Sequence, residues 1–304
     1  MATQTQRQSI HAEPRVPGLV IVRNLLDADD CDGLLATVDE SRSEAEAQRA
    51  AVAIANANVG SDQVDDAQPT KEHAYLDQMM HFGQLPWFAT WAADRVAMVL
   101  PQVIAALQNE HRNESVRQDQ EITAQEAQQA DVNTTNMTRE LELQRLATRS
   151  PLFNQLILNV YSPGKGIRPH VDLLQFDDLV VSLSLGAPTV MTFKPISGDA
   201  SLELWQQHWA RERAAGHLVP PERSGTPASV EAFCNTFPHM PEETAVDVWL
   251  APGDLVVLVG PARWRWTHEI AFRDADPLES GELLPRGFRT SITLRALRDW
   301  TGQN

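Results

Sequence analysis

The chain has 304 residues, of which 42% are hydrophobic, and a formal net charge of −16. This length supports one substantial domain, and the negative charge argues against non-specific nucleic-acid binding, which needs cations facing the phosphates. Two cysteines, Cys31 and Cys234, give neither a disulfide framework nor zinc spacing. Since no segment has the length of an apolar membrane span or a secretory start, we expect a protein of the cytoplasm and/or nucleus with no membrane partner.

Two helical stretches are predicted near the N-terminus. The first has apolar residues at helical spacing and begins after Asp27 or Asp29, either of which could cap it. The second covers about 91–100, and Pro101 should kink or end it. Residues 48–70, between the two, are rich in Ala, Asn and Asp and predict a loose connection.

Two long segments look like insertions. Residues 108–150 are polar and contain no aromatic residue, so they can bury little and should be mobile or weakly helical. Residues 195–245 carry Trp205 and Trp209 at helical spacing. A helix with two tryptophans on one stripe most often packs on its own domain, and less often it is a docking face.

Short β-like segments follow one another in the second half of the chain and are separated by Gly and Pro breaks. This pattern is typical of a sandwich or jelly roll. The predicted strands are 156–161, 179–185, 189–193, 246–250 and 255–259.

Three side chains could share a metal ion. His170 and Asp172 are two residues apart, so on a strand both would leave the backbone on one side, and His268 could join from a distant strand. Two histidines and a carboxylate on one face of an ion are typical of non-haem Fe(II) oxygenases, which keep the other face open. Alone, the His-x-Asp pair is weak evidence, because chance supplies it in many chains as a surface turn or a satisfied core histidine.

The last strongly β-like segment places two arginines on one face. In 289–295 a period of two sends Arg289, Ser291 and Arg295 the same way. Arginines inside a barrel need anions, and a dicarboxylate would match the guanidinium fork. The alternative is an edge strand with solvated arginines.

As a set, these motifs resemble the AlkB family of 2-oxoglutarate- and Fe(II)-dependent dioxygenases. Arg289 follows His268 by 21 residues, and Arg295 follows six positions later. The resemblance covers about 150–298 and also rests on Asn159-x-Tyr161, Pro163-Gly164 and the strand Ser182–Gly186. It implies an enzyme with an α+β fold, in which a double-stranded β-helix (jelly roll) is flanked by N-terminal helices. The implied regions are 1–107 for the helices and a lid-like segment, 108–150 for a polar insert, and 151–300 for the jelly roll with its insertion at 195–245.

The resemblance also implies roles for individual residues. Fe(II) would be held by His170, Asp172 and His268. The co-substrate 2-oxoglutarate would meet Arg289 at its distal carboxylate, Arg295 nearer the iron, and Asn159, Tyr161 and Ser291, where Ser291 departs from the founding bacterial pattern. Such a site would use O₂ to oxidise a C–H bond, which removes a methyl from nitrogen or leaves a stable alcohol.

Candidate substrate contacts are His81 and Phe82, in a segment that resembles the AlkB lid, together with Trp264 and Trp266. Alternation places Trp264, Trp266 and His268 on one face. These aromatics could stack on a flipped base, or they could be ordinary core residues.

The substrate stays open at this point. We expect a modified nucleobase in RNA, tRNA included, or in DNA, with a protein substrate or a catalytically silent scaffold as alternatives. A basic mouth on an acidic body would suit nucleic acid, although the same cations could be scattered surface charges. They are Lys165, Arg168, Arg263, Arg265, Arg286, Arg289, Arg295 and Arg298.

Overall fold

The computed structural model describes residues 7–57, 77–121, 148–173, 175–196, 245–278 and 280–297. Predictions on Cys234, Trp205, Trp209 and Arg298 lie outside these residues. The helices are α1 (Ala28–Ala57), α2 (Trp87–Glu121) and the short α3 (Pro261–Trp264). The strands are β1 (Ser9–Ala12), β2 (Leu19–Arg23), β3 (Asp77–Phe82), β4 (Gln155–Tyr161), β5 (Ile167–His170), β6 (Val180–Gly186), β7 (Thr189–Pro195), β8 (Val246–Leu250), β9 (Leu255–Leu258), β10 (Trp266–Ile270), β11 (Ala275–Pro277), β12 (Leu283–Pro285) and β13 (Arg289–Arg295).

Two antiparallel sheets dominate the fold. The larger has the order β1-β2-β9-β6-β13-β4-β3, and the smaller has the order β5-β10-β7-β8. The strands predicted at 156–161, 179–185, 189–193, 246–250 and 255–259 are confirmed as β4, β6, β7, β8 and β9 to within a few residues. This mostly antiparallel arrangement is consistent with the predicted jelly roll.

The larger sheet has an apolar layer on each face. Side chains of α1 and α2 pack with residues such as Leu156, Leu183 and Ile292 on its outer face. On its inner face, Ile21 and Val256 pack with Phe193 and Trp266 of the smaller sheet. The alternation of side chains along each strand supplies both faces at once. The inner layer is apolar near β2 and β9, while β4 and β13 direct polar side chains into it.

Helix α1 begins where the sequence predicted it. The Oδ1 of Asp27 accepts a hydrogen bond from the backbone N–H of Asp30 at 2.9 Å, so Asp27 caps the first turn. The helix continues to Ala57, and the loose connection predicted over 48–70 is therefore wrong in its first part. Alanine is the strongest helix former, and this segment is rich in it.

The sequence predicted that Pro101 would kink or end α2. The helix passes through Pro101, so of these two alternatives the helix end is wrong. Proline removes one backbone hydrogen bond, but burial on both sides of it holds the helix together. Val99, Val103 and Leu107 recur at a spacing of four and are all buried against the larger sheet. The helix also includes 108–121, the beginning of the polar segment.

Candidate metal and co-substrate site

The two histidines of the predicted metal site lie side by side. His170 ends β5 and pairs directly with His268 at the middle of β10, and their ring centroids are 4.3 Å apart. Since Trp266 and Ile270 flank His268 at a spacing of two and are buried between the sheets, His268 faces the same interior. His170 Nδ1 lies 2.8 Å from the carbonyl oxygen of Arg168, which leaves Nε2 directed away from its own strand.

Asp172 reaches the same place by another route than the one predicted. Strand β5 ends at His170, so the side-by-side projection of His170 and Asp172 from one strand is wrong. The chain leaves the sheet after His170, and Asp172 is brought back beside β10, where its Oδ2 is 3.7 Å from Nε2 of His268. Two ligand atoms that are each about 2.1 Å from one ion lie about 3 to 4 Å apart, so this spacing suits a shared metal.

The protonation states also suit a metal. Burial, with His170 adding to it, lowers the pKa of His268 to about 3, so this imidazole is neutral at pH 7. Burial alone would raise the pKa of Asp172, but Arg295 and the neighbouring His268 hold it well below its usual range. Neutral imidazole and ionised carboxylate are the forms that bind metals. The donor set therefore fits Fe(II).

Arg295 already holds one oxygen of this carboxylate. Its Nη1 donates to Oδ1 of Asp172, and its Nε donates to Oε1 of Gln155 at 2.8 Å. Within the described residues, no three His, Cys, Asp or Glu side chains are arranged, as they stand, so that they could hold a metal ion. The ion pair with Arg295 leaves Oδ2 as the Asp172 atom that faces His268. Arg295 thus lies next to the predicted iron ligands, as the family resemblance implies.

Arg289 is a buried cation with unused donors. Its Nη2 donates to Ser184 Oγ at 2.9 Å, while Nε and Nη1 are buried without a hydrogen-bond partner among the described residues. Its Cζ lies 5.1 Å from the ring centroid of Tyr161, and both residues line a small cavity with Thr189. Buried donors without partners are costly, so this guanidinium is prepared for an anion. The carboxylate of 2-oxoglutarate fits that chemistry.

The remaining predicted co-substrate residues share the inner face. Asn159 pairs with Ser291 across β4 and β13, and Ser291 pairs in turn with Ser184 on β6. The Oδ1 of Asn159 accepts a hydrogen bond from Gln78 Nε2 at 2.6 Å, so its own NH₂ group is the part available to a ligand. Ser291 is buried, and its hydroxyl can donate one bond.

The predicted substrate residues separate into two groups. Phe82 pairs with Gln155 and therefore lies on the inner face, where it is 54% exposed. His81 lies on the outer face with Met79, toward the helices, so the structure does not bring it to the site. Its Nε2 is buried without a partner among the described residues, and burial lowers its pKa.

The shared face predicted for the two tryptophans is wrong for Trp264. The chain forms the short helix α3 through Trp264, and β10 begins only at Trp266, because Gly260-Pro261 starts a helical turn. Trp264 is buried and donates from Nε1 to Asp178 Oδ1 at 2.6 Å. Trp266 does share a face with His268, but it is 1% exposed and belongs to the apolar layer between the sheets.

Most of the arginines proposed for a basic mouth are internal. Arg263, Arg265 and Arg286 are buried. Arg286 makes two hydrogen bonds of 2.7 Å to the carboxylate of Asp276. Arg168 is exposed beside His170. Arg263, Arg286 and Arg295 thus bind internal carboxylates and carbonyls. With most of the described arginines buried, these cations do not form a continuous basic surface.

Three polar residues of the site were missed from the sequence. Ser184 contacts Arg289, Gln155 contacts Arg295, and Gln78 contacts Asn159. Alternation in Ser182–Gly186 indicates that Ser182 and Ser184 share a face, which could have found Ser184. Gln78 has no such signal, because its place depends on β3 pairing with β4.

Comparison with known proteins identifies the family. A family model described as the 2OG-Fe(II) oxygenase superfamily matches residues 35–295. The chain belongs to this superfamily. Members of this superfamily use Fe(II) and 2-oxoglutarate. The protein is therefore an oxygenase that uses Fe(II) and 2-oxoglutarate.

The relatives of this 2OG-Fe(II) oxygenase are AlkB-like. It is 30% identical over 161 residues to the tRNA (carboxymethyluridine(34)-5-O)-methyltransferase ALKBH8 of Macaca fascicularis, across 48% of this chain and 18% of that protein. It is 26% identical over 147 residues to the alkylated DNA repair protein ALKBH8 homolog of Arabidopsis thaliana, across 48% and 35%. The match therefore spans about a third or less of these relatives. The solved structure of OsALKBH1 aligns with a TM-score of 0.39 at 13% identity, across 95% of this chain and all of that one.

Proposed function

We propose that this AlkB-like oxygenase oxidises a modified nucleobase, in tRNA or another RNA or in DNA, by demethylation or hydroxylation. Its jelly roll would cover 151–300, with helices in 1–107 flanking it and insertions at 108–150 and 195–245. The superfamily match and the AlkB-like relatives support the reaction class. The names of those relatives refer to tRNA and to DNA repair, which supports a nucleic-acid substrate. The two cysteines of the chain give no disulfide framework, which is typical of proteins in reducing compartments. We therefore propose the cytoplasm or nucleus as its location.

In this proposal His170, Asp172 and His268 hold Fe(II), and Arg289 binds the distal carboxylate of 2-oxoglutarate. Iron with 2-oxoglutarate and O₂ supplies the oxidising power for a C–H bond. Arg295 keeps Asp172 ionised and orients it, and the layer around Trp266 excludes water from one side. Asn159, Tyr161 and Ser291 complete the co-substrate pocket.

One observation carries the proposal. Two nitrogens of the buried Arg289 guanidinium have no hydrogen-bond partner among the described residues. This cation lies in the same interior as the paired imidazoles of His170 and His268 and the ionised carboxylate of Asp172. A structural core has no need of such a cation, because an unpaired buried donor costs about 1 to 3 kcal/mol. A site that binds a metal and a dicarboxylate explains both the free donors of Arg289 and the imidazoles and carboxylate near it.

The reaction is tested by uncoupled turnover. Purified protein loaded with Fe(II) is expected to convert 2-oxoglutarate to succinate in the presence of O₂. Asp172→Ala should abolish this turnover and leave the circular dichroism spectrum unchanged, because it removes a ligand and not a part of the apolar layers. Arg95→Ala, a change on α2 beyond the larger sheet, is the control and should keep turnover. Equal turnover in Asp172→Ala would refute the metal assignment.

The substrate is tested in cells that lack the protein. Mass spectrometry of tRNA, mRNA and DNA nucleosides should show one modified nucleoside accumulating, and wild-type protein but not Asp172→Ala should restore its level. A protein substrate is the second candidate, because a net charge of −16 would suit a basic protein. Unchanged nucleosides beside an altered peptide would favour that candidate.

A further inference from the structure

Asp172 lies in a part of the chain that no sheet supports. Strand β5 ends at His170, and residues 171–173 have no regular secondary structure. Backbone carbonyls in such a segment need other donors when they are buried. Both carbonyls at the end of this segment bind one side chain. The Nη1 of Arg263 donates to the carbonyl oxygen of Asp172 at 2.9 Å, and its Nη2 donates to that of Leu173 at 2.7 Å.

Arg263 is itself held firmly. It is 1% exposed, and its Cζ lies 3.9 Å from the ring centroid of Trp264, so the guanidinium stacks on that ring. Trp264 in turn donates from Nε1 to Asp178 Oδ1 at 2.6 Å, and Gly260 N–H donates to the same oxygen at 2.9 Å. A planar fork with a fixed orientation can hold two carbonyls at a set distance.

The position of Arg263 in the chain connects it to His268. Helix α3 carries Arg263 and leads after one residue into β10, on which His268 lies. Asp172 and His268 are far apart in sequence. The pairing of β5 with β10 ends at His170, so it does not extend to Asp172. The side chain of Arg263 therefore joins the segment of the carboxylate to the segment of the second imidazole.

We propose that Arg263 is a positioning residue for the metal site, which holds the backbone of Asp172 and Leu173 at a fixed distance from β10. This inference rests on the proposed function, because it takes Asp172 and His268 as metal ligands. Arg263 would not touch the metal. By fixing the backbone of Asp172, Arg263 would place its Oδ2 next to Nε2 of His268, so that the segment 171–173 needs no further ordering when the metal binds.

The test measures metal affinity and not only activity. Co(II) is titrated anaerobically into wild-type protein, Arg263→Met and Arg263→Lys, and its visible spectrum reports the ligand geometry. Methionine keeps the bulk on Trp264 but removes every donor, while lysine keeps the charge and loses the fork. Arg95→Met is the matched control, because Arg95 also stacks on a tryptophan, Trp91, at 4.7 Å, but lies on α2, where it forms an ion pair with Asp30 at 3.7 Å. Thermal unfolding is followed for every variant.

We expect Arg263→Met to weaken Co(II) binding ten- to a hundredfold and to change the visible spectrum, which is the usual size of effect for residues behind metal ligands. Arg263→Lys should lose less, and Arg95→Met should bind as the wild type does, even if its unfolding midpoint falls. Wild-type affinity and spectrum in folded Arg263→Met would overturn the proposal. If that variant does not fold, unchanged Co(II) binding by Arg263→Lys overturns it equally.

The failure of this inference can be told from the failure of the proposed function. A wild-type protein that binds no Co(II) overturns both. A wild-type protein that binds Co(II), an Asp172→Ala variant that does not, and Arg263 variants that bind normally together overturn only the role of Arg263.

Discussion

Arg289 shows how a single residue carries information about a ligand. It is buried, and burial lowers its pKa, although the neighbouring Tyr161 works against this shift. Only one of its nitrogens, Nη2, has a hydrogen-bond partner among the described residues. Buried cations are normally paired, so an arginine with unused donors beside a cavity indicates an anionic ligand.

Arg289→Ala should therefore weaken 2-oxoglutarate binding on the order of a hundredfold or more, because two charge-assisted hydrogen bonds contribute about 3 kcal/mol or more together. Calorimetry with Mn(II)-loaded protein in the absence of O₂ would measure the dissociation constant. The metal affinity should stay near the wild-type value, since Arg289 contacts no predicted ligand. Retained 2-oxoglutarate affinity would show that the anion is bound elsewhere.

At the scale of elements, β3 sends His81 and Phe82, both predicted as substrate contacts, to opposite faces of the larger sheet. Its pairing with β4 sends Phe82 inward and His81 outward. His81 then lies beside the helices, where burial lowers its pKa below the usual 6.5. A histidine of this kind stabilises the fold above pH 6.5, and that contribution is lost as the pH falls toward the lower folded pKa, because the unfolded chain binds the proton more readily.

His81→Leu should remove this part of the pH dependence. Urea unfolding at pH 7.5 and pH 5.5 is expected to show a smaller loss of stability at low pH for the variant than for the wild type. Turnover of 2-oxoglutarate should be unchanged, because His81 faces away from the site. A strong loss of turnover would return His81 to the candidate site residues.

Helix α2 shows burial outweighing a local signal. Pro101 lies inside the helix and is exposed, while Val99 and Val103 on either side are buried. Helical packing of those residues on the larger sheet compensates for the hydrogen bond that proline cannot make.

Pro101→Ala should stabilise the protein by about 1 to 3 kcal/mol, because alanine restores the backbone donor and an exposed proline loses little packing. Chemical denaturation would measure the change. Gln102→Ala, also exposed on α2, is the control and should alter stability by less than about 0.5 kcal/mol. An unchanged or lower stability in Pro101→Ala would mean that the helix has adapted to the proline.

At the scale of the whole molecule, the candidate site lies between the two sheets. His268 comes from the smaller sheet, Arg289 and Arg295 come from the larger one, and Asp172 bridges them through Arg295. Such a site exists only when both sheets are packed together. None of the helices in the described residues is long and apolar enough to cross a membrane.

Metal and co-substrate should consequently stabilise the entire fold. A ligand that binds only the folded state, present at a hundred times its dissociation constant, adds about 2.7 kcal/mol to the free energy of unfolding. We expect Mn(II) with 2-oxoglutarate to raise the unfolding midpoint of the wild type and to leave that of Asp172→Ala nearly unchanged. Scanning calorimetry measures both. An equal rise in the variant would place the ligands outside the candidate site.

The sequence by itself determined several strands of the two sheets and the residue types of the candidate site. The period of two in β4, β6 and β13 is a local property of the chain, so it predicted which side chains of those strands share a face. The residue types at 170, 172, 268, 289 and 295 likewise indicated a metal and a dicarboxylate. Two imidazoles with a carboxylate are typical ligands of Fe(II), and a guanidinium group typically binds a carboxylate.

Only the tertiary structure decided how these parts meet. The inward face of β3, the passage of α2 through Pro101 and the bonds from Arg263 to the segment of Asp172 each depend on a partner distant in sequence. Local propensity does not report which distant surface will bury a residue or accept its hydrogen bond. For that reason the return of Asp172 to His268 after β5 ends was decided by packing between the sheets and by the buried arginines, and not by the His-x-Asp spacing.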